Sequence, residues 1–343
     1  MGCRVAVDAM GADRGPEEII RGAIQAAASE SLEVVLVGPQ AQVEAIVDAE
    51  LRKTPAARGR VSIANATEIV GMTDQPSVVA RGKRNSSIVV GLNLIKSGAA
   101  DAFVSAGNSG AVMAAALFTL GRIKGIERPA IGTIFPTLSG KTLLIDMGAN
   151  VDCKPVWLLQ FAQMGAAYME RLFAIQRPRV ALLSNGEEES KGSQLTQDSY
   201  KLLKTSGLNF VGNLEGKDIP RCTAHVLVTD GFTGNVMVKL SEGVGELIVG
   251  FLKEAIGRHW YLKLGALLLS PAFHEIARRV DYAEYGGAPL LGVNGVVVIA
   301  HGRSSAKAIK NAVRIAAQAY NEGLVPAISG QDLSPQPIEQ AAP

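Results

Sequence analysis

Six short stretches of this chain join glycine to Asp, Asn, Ser, His or Lys directly after an apolar run. They cover residues 8–13, 105–110, 146–150, 184–192, 229–235 and 300–304. Each apolar run reads as a strand, so each stretch falls where a strand gives way to a helix. In open α/β sheets, ligands bind at the carboxyl ends of the strands. Glycine lets backbone N–H groups approach an anion closely. A following helix adds unpaired N–H groups and the positive end of its dipole, about 0.3–1 kcal/mol per exposed charge. One such stretch alone reads as an ordinary turn, with Gly, Asn and Asp supplying positive φ and helix caps. Six on the carboxyl edge of one sheet imply a polar crevice able to hold an anion.

Individual residues sharpen this. Gly107-Asn108-Ser109-Gly110 opens an Ala-rich helix, and either Asn108 or Ser109 caps it. Its amides would cradle a phosphate or a carbonyl oxygen. The stretch is neither a Walker A loop nor GxGxxG, so a nicotinamide site has no direct support. Lys191 ends the run Glu187-Glu188-Glu189-Ser190-Lys191. It offers phosphate a point charge, oriented by one of the glutamates, or else the run is a solvated face. Asn235 and Lys239 stand i, i+4 on a helix expected from about Gly234, so they share a face; Glu242 is the competing partner of Lys239 at i+3. His301 is a candidate acid or a structural histidine. The carboxylates Asp8, Asp13, Asp146 and Asp230 either bind a divalent ion or serve turns and caps. No histidine pair has metal-ligand spacing, and no metal or cofactor is assigned.

The elements that must position these residues alternate along the chain. Strands are expected at 4–7, 34–37, 61–64, 102–105, 130–135, 142–146, 180–184, 226–229 and 296–300. Helices are expected at 16–28, 40–50, 109–120, 156–175, 194–206 and 307–320. This alternation predicts an α/β fold with a doubly wound, mostly parallel sheet. Residues 137–141 read as a hairpin turn, which makes part of the sheet antiparallel. Residues 1–329 form one large unit, and the Pro/Gln-rich tail, 330–343, is expected to be disordered.

Composition agrees. The 343 residues are 48% hydrophobic and 19% charged, enough for a full core. Aromatics are only 5%, so short aliphatic residues fill the interior, as in strands covered by helices on both faces. A net charge of +2 without a basic run argues against nucleic-acid binding. Cys3, Cys153 and Cys222 lack metal or pairing spacing, which suits a reducing compartment. There is no signal-peptide pattern and no apolar run of the roughly 18 residues that span a bilayer, so the expected location is cytoplasmic. Residues 257–277 stand apart. Trp260, Leu264, Leu267, Leu268, Leu269 and Phe273 crowd together, flanked by Arg258, Lys263, Arg278 and Arg279. This helical hairpin elaboration, at about 245–280, either touches a membrane interface or packs as a buried hairpin or dimer contact.

The chain resembles a known family. Asp8-Ala9-Met10-Gly11-Ala12-Asp13-Arg14-Gly15-Pro16 is similar to the opening signature of the bacterial phosphate acyltransferases, acyl-carrier-protein-dependent enzymes of phospholipid synthesis. The likeness runs through residues 106–111, 146–150, 186–192 and 229–239. It continues in Asp281-Tyr282-Ala283-Glu284-Tyr285-Gly286-Gly287-Ala288-Pro289-Leu290-Leu291-Gly292-Val293-Asn294-Gly295 and ends at His301-Gly302-Arg303-Ser304. The family commonly has glycine where this chain has Ala12. The resemblance implies a fold akin to phosphotransacetylases and isopropylmalate-type dehydrogenases, a homodimer, peripheral attachment to the inner membrane and an apolar groove for the acyl chain, which the Trp260–Phe273 hairpin is a candidate to guide if it does not contact the membrane. It implies transfer of a fatty acyl group from acyl carrier protein to inorganic phosphate, for use by a membrane glycerol-3-phosphate acyltransferase. Read from the residues, the catalytic set is Lys191, Asn235, Lys239 and His301: Lys191 and the Asn108–Gly110 amides are expected to hold phosphate, Asn235 or Lys239 to polarise the thioester carbonyl, and His301 to protonate the leaving sulfur. The phosphate- and substrate-binding set is Asp8, Gly11, Asn108, Ser109, Gly110, Asp146, Asn150, Asp230 and Asn294.

The chemistry is compatible with these residue types. Phosphate needs placement more than deprotonation, and a thiol of pKa roughly 8.5 leaves without a strong acid. Positioning and stabilisation of the carbonyl oxygen remain, which amides, asparagines and a lysine supply. The chain lacks a Gly-x-Ser-x-Gly elbow, a Cys/His pair and a zinc motif, so direct attack by phosphate is expected. The competing readings are a phosphotransacetylase-like enzyme using acyl-CoA, a decarboxylating dehydrogenase, and a non-catalytic membrane-docking partner.

Overall fold

Runs of Val, Ile and Leu make the strands, and the computed structural model describes them within residues 2–330, except Arg14, Ser139, Cys222 and 281–285. The expected tail (Gly330 apart), Arg14, Cys222 and the first five residues of the long family motif therefore lie outside the described residues. The strands are β1 (Cys3–Asp8), β2 (Leu32–Gly38), β3 (Val61–Asn65), β4 (Ala102–Ser105), β5 (Ala130–Pro136), β6 (Lys141–Ile145), β7 (Val180–Ser184), β8 (Phe210–Glu215), β9 (Val226–Val228), β10 (Ala288–Leu291) and β11 (Val296–Ile299). The helices are α1 (Pro16–Ser29), α2 (Gln40–Lys53), α3 (Pro76–Gly82), α4 (Ser87–Lys96), α5 (Ser109–Thr119), α6 (Pro155–Phe173), α7 (Gln194–Lys204), α8 (Gly231–Gly257), α9 (Trp260–Leu268), α10 (Ser270–Val280), α11 (Ala306–Asn321) and α12 (Leu324–Ser329).

Helix starts follow local chemistry. Side chains of Ser86, Asn108, Ser193, Asp230 and Ser305 accept from the third residue on and cap α4, α5, α7, α8 and α11. Proline opens α1, α3 and α6, where its missing N–H costs nothing. Val5, Val7, Val34, Leu36 and Val104 are fully buried between helix layers. Each such side chain contributes about 1.5–3 kcal/mol relative to exposure. Ile20, Ala23 and Ile24 of α1 and Ile309, Ala312 and Val313 of α11 join the same core. Small residues let these two helices approach closely.

The sheet has the order β3-β2-β1-β4-β11-β10-β5-β6-β9-β7-β8. β3, β2, β1, β4 and β11 are parallel, and so are β6, β9, β7 and β8. Between them β10 is antiparallel to both β11 and β5, and β5 is antiparallel to β6. β5 and β6 thus pair antiparallel, as the expected hairpin requires. Three reversals set the two parallel halves running in opposite directions.

Register then decides where their ends fall. Ile299, at the end of β11, lies opposite Ala288; Leu290 lies opposite Ile131; Gly132 lies opposite Ile145, at the end of β6. Both halves therefore terminate near the same level, approaching it from opposite sides. The six polar stretches do not share one edge. Those after β1, β4 and β11 sit on one carboxyl edge, and those after β6, β7 and β9 on another that faces it.

An arm leaves this body. α8 has 27 residues, about 40 Å at 1.5 Å per residue, and Gly231 and Gly234 are its buried residues. Its later part, with α9 and α10, forms the elaboration expected at about 245–280. Trp260, Leu264, Leu267, Leu268 and Leu269 are all exposed, Leu268 at 82%, and Phe273 is half-buried. A hairpin buried within its own chain is therefore excluded.

Candidate active site

Between the facing edges lies a crevice of about 610 Å³. One wall carries Asp13, Gly107, Asn108, Ser109, Gly110, Ala300, His301 and Gly302. The opposite wall carries Met147, Gly148, Asn235, Val238, Lys239 and Glu242, with Ile131 and Thr133 between.

The first wall is built on a buried carboxylate. Asp8 accepts from Ser105 Oγ at 2.7 Å and from the Met10 N–H at 3.1 Å. Ser105 Oγ in turn accepts from the Gly107 N–H at 3.1 Å. Asp8 is 1% exposed, and burial pushes its carboxyl up from the ordinary range, against the bonds from Ser87, Ser105 and Met10. It therefore supports the 105–110 loop from beneath and does not line the crevice. Gly11 is where the loops after β1 and β4 touch: a β-carbon there would stand 2.6 Å from the Gly107 nitrogen.

Asn108 is the cap of α5. Its Oδ1 accepts from the Ala111 N–H at 3.0 Å, while Nδ2 donates to the Met72 and Asp74 carbonyls at 2.9 and 3.1 Å. Its side chain is thus committed to structure. The N–H groups of Ser109 and Gly110 are first-turn donors without an intrahelical partner, and they open on the crevice. This is the arrangement that binds anions.

The second wall rests on Asp146, which is fully buried. Its Oδ1 accepts from the N–H groups of Ile131, Gly148 and Ala149 at 3.0–3.2 Å. Its Oδ2 accepts from the Asn150 N–H at 2.7 Å and Nδ2 at 2.9 Å. Burial raises its pKa, and these donors oppose the rise. Asn150 also donates to the Pro129 carbonyl at 2.8 Å, and its own carbonyl accepts from the Gly231 N–H. Asp230 caps α8 through the Thr233 N–H and hydroxyl at 2.8 and 2.7 Å. Asp146, Asn150 and Asp230 are thereby occupied in shaping the turn and the start of α8. That helix begins at Gly231, three residues before the expected start, and it presents Asn235 and Lys239 to the crevice together. Lys239 Nζ lies 2.8 Å from Glu242, an exposed pair.

His301 stands on the first wall, with Nδ1 accepting from the Arg303 N–H at 3.1 Å. The neutral ring must then carry its proton on Nε2.

Two expected site residues lie elsewhere. Lys191 follows β7, which is separated from β6 by β9; it is exposed and does not line this crevice. Glu189 pairs with Lys204 at 2.9 Å and leaves Lys191 unoriented by that glutamate. Asn294 sits in the turn between β10 and β11, at the amino end of β11, where its N–H donates to the Gly121 carbonyl at 3.0 Å. That is the far end of the strand from the crevice. Conversely, Met72, Thr133 and Met147 line the crevice without having been expected; only the Asn108 bond to the Met72 carbonyl reveals why Met72 is there.

Among the described residues there is no group of three or more His, Cys, Asp or Glu placed to hold a metal, and no helix long and apolar enough to cross a membrane.

The architecture is that of the phosphotransacetylases. A phosphotransacetylase from Streptococcus pyogenes superposes with a TM-score of 0.61 at 20% identity, covering 94% of each chain. The EutD phosphotransacetylase from Staphylococcus aureus gives 0.59 at 17% identity, covering 93% of this chain and 94% of its own. Sequence is more specific: residues 3–326 match the model of the family described as fatty acid synthesis protein, and the chain belongs to that family. Its relatives include the phosphate acyltransferases of Pelotomaculum thermopropionicum, 50% identical over 94% of this chain and 93% of that one, and Desulfitobacterium hafniense, 51% identical over 94% and 95%.

Proposed function

We propose that this enzyme moves a fatty acyl group from an acyl-carrier-protein thioester to inorganic phosphate, releasing acyl phosphate and the carrier thiol. The observation that carries the reading is the opposition of two features across the crevice: the unpaired Ser109 and Gly110 N–H groups, and Asn235 with Lys239. Phosphate sits on the α5 N-terminus with Lys239 nearby, and the Asn235 amide donates to the thioester carbonyl oxygen. A phosphate oxygen bonds to the carbonyl carbon, and the C–S bond breaks. His301 Nε2–H gives its proton to the sulfur, and the proton of hydrogen phosphate replaces it. Asp8, Gly11, Asp146, Asn150 and Asp230 hold the two walls; Lys191 and Asn294 are assigned no contact with phosphate in the crevice.

The arm fits cytoplasmic action at a membrane surface. Phe232, Val236, Leu240, Leu247 and Phe251 form an exposed stripe along α8, and a contiguous exposed apolar patch marks an interaction surface. The stripe pairs two copies into a homodimer, and the α9 tip rests on the inner membrane, where a glycerol-3-phosphate acyltransferase consumes the product.

The test is direct. The purified enzyme is given long-chain acyl carrier protein and phosphate, with and without EDTA, and acyl phosphate is trapped as hydroxamate. Phosphate-dependent, EDTA-insensitive product supports the reading. Product from acyl-CoA alone shifts it to a phosphotransacetylase-like donor, and no product from either donor ends it.

A further inference from the structure

Two cations flank one indole on a face beside the crevice, and two more stand on the connection that carries one of them. Trp157, in the first turn of α6, lies under the Arg128 guanidinium at 5.0 Å and the Lys154 ammonium at 5.7 Å. Its Nε1–H donates to Glu127 Oε2 at 2.6 Å, and Arg122 donates to the Glu127 backbone carbonyl. Lys124 belongs to the same connection between α5 and β5. All four cations are exposed, and none has an ion-pair partner among the described residues. The Glu127 carboxylate is engaged by the indole; Asp152, exposed and two residues before Lys154, is the other carboxylate close in sequence. By contrast, Lys53, Lys83, Lys201, Lys204 and Lys217 each hold a carboxylate within 3.0 Å. Cations left without carboxylates around an aromatic ring present a positive field with an apolar centre. That suits an acidic protein surface: charge steers the approach, and Trp and Arg are the residues that anchor interfaces.

The patch and the crevice share one structural border. In the 146–150 turn, Met147 and Gly148 line the crevice, while Asn150 holds the Pro129 carbonyl, next to Arg128. A partner seated on Arg128 and Lys154 is therefore one turn of chain away from the reacting groups.

We infer that this face docks the acidic body of the carrier protein, so that the thioester arm enters the crevice past the 146–150 turn. The inference rests on the carrier-thioester reading above. Its test compares two donors bearing the same acyl group: the acyl carrier protein, and acyl-pantetheine, which lacks the protein body. In the Arg128→Glu/Lys154→Glu enzyme, KM for the acyl carrier should rise about tenfold or more at low salt, with kcat within about twofold, since each exposed charge pair is modest but several act together. Its turnover of acyl-pantetheine should stay within about twofold of the parent. Because those two changes also remove the cations over Trp157, Lys124→Glu serves as a second variant. Lys124 makes no described side-chain contact, and it should raise KM for the carrier alone by a smaller factor. An unchanged KM for the carrier in both variants overturns the docking face. So does equal loss with both donors. A parent enzyme that uses acyl-pantetheine but not the acyl carrier overturns the donor reading itself, and the docking face with it.

Discussion

Gly234 packs so tightly on the backbone of Asp146 that a β-carbon at position 234 would stand 1.9 Å from the Asp146 carbonyl oxygen. The start of α8 is thereby pressed onto the turn that ends β6, and Asn235 is carried to the side of Gly148. Gly234→Ala must push the helix away. Overpacking of this kind costs roughly 1–3 kcal/mol or more, and the shift moves Asn235 and Lys239 together. The expected result is a lower thermal midpoint and a turnover loss larger than the stability change accounts for. A variant with the parent's midpoint and turnover would show that α8 has slack here.

The second prediction separates two lysines. Lys239 lines the crevice, where Glu242 competes for it; Lys191 stands outside. Lys239→Ala should raise the phosphate KM roughly 10- to 100-fold, the equivalent of a charge-assisted hydrogen bond. Glu242→Gln should lower it by up to about fivefold, because an exposed pair is worth at most about 1 kcal/mol. Lys191→Ala should leave it within about twofold. Steady-state kinetics with varied phosphate decide this, and a larger effect at Lys191 than at Lys239 would move the phosphate out of the crevice.

These two lysines also show what sequence could and could not reveal. Strand positions were legible because Val, Ile and Leu runs end in glycine and caps, and the Thr137–Lys141 turn announced its hairpin. β8 and β10 were not: Phe210–Glu215 is interrupted by Gly212 and Asn213, and Ala288-Pro289-Leu290-Leu291 is short and contains a proline. The opposition of the two carboxyl edges was equally hidden. It depends on how Leu290 registers with Ile131 and Gly132 with Ile145, and no local pattern encodes that. Lys191 and Lys239 both follow strand ends, but only topology shows that β9 stands between β7 and β6. Asp8 and Asp146 were legible as important residues. Their role under the walls, instead of on them, required knowing their burial.

Asp8 carries a pH prediction. Burial raises its folded pKa above the unfolded value. A carboxyl shifted this way binds its proton more tightly when folded. Its stabilising contribution is fully present below the unfolded pKa and is lost as pH rises through the folded pKa. Asp8→Asn cannot ionise. The stability of the parent relative to Asp8→Asn should therefore fall as pH rises above the ordinary carboxylate range. Urea unfolding of both proteins from about pH 4 to about pH 8 measures this. A difference that stays flat, or grows in the parent's favour with pH, would mean that Ser105, Ser87 and the Met10 N–H outweigh burial.

The last prediction concerns the arm. Leu267 and Leu268 are 70% and 82% exposed at the tip of α9, and neither supports the core. Changing both to glutamate should leave the thermal midpoint unchanged, while each buried leucine lost from a lipid surface removes about 1.5–3 kcal/mol of attachment. Flotation with anionic liposomes should therefore fail for the double variant and succeed for the parent. The α8 stripe predicts a different defect: Leu240→Glu with Phe251→Glu should turn a dimer into a monomer by sedimentation. If the tip variant still floats and the stripe variant does not, the membrane lies along α8 and the homodimer must form elsewhere.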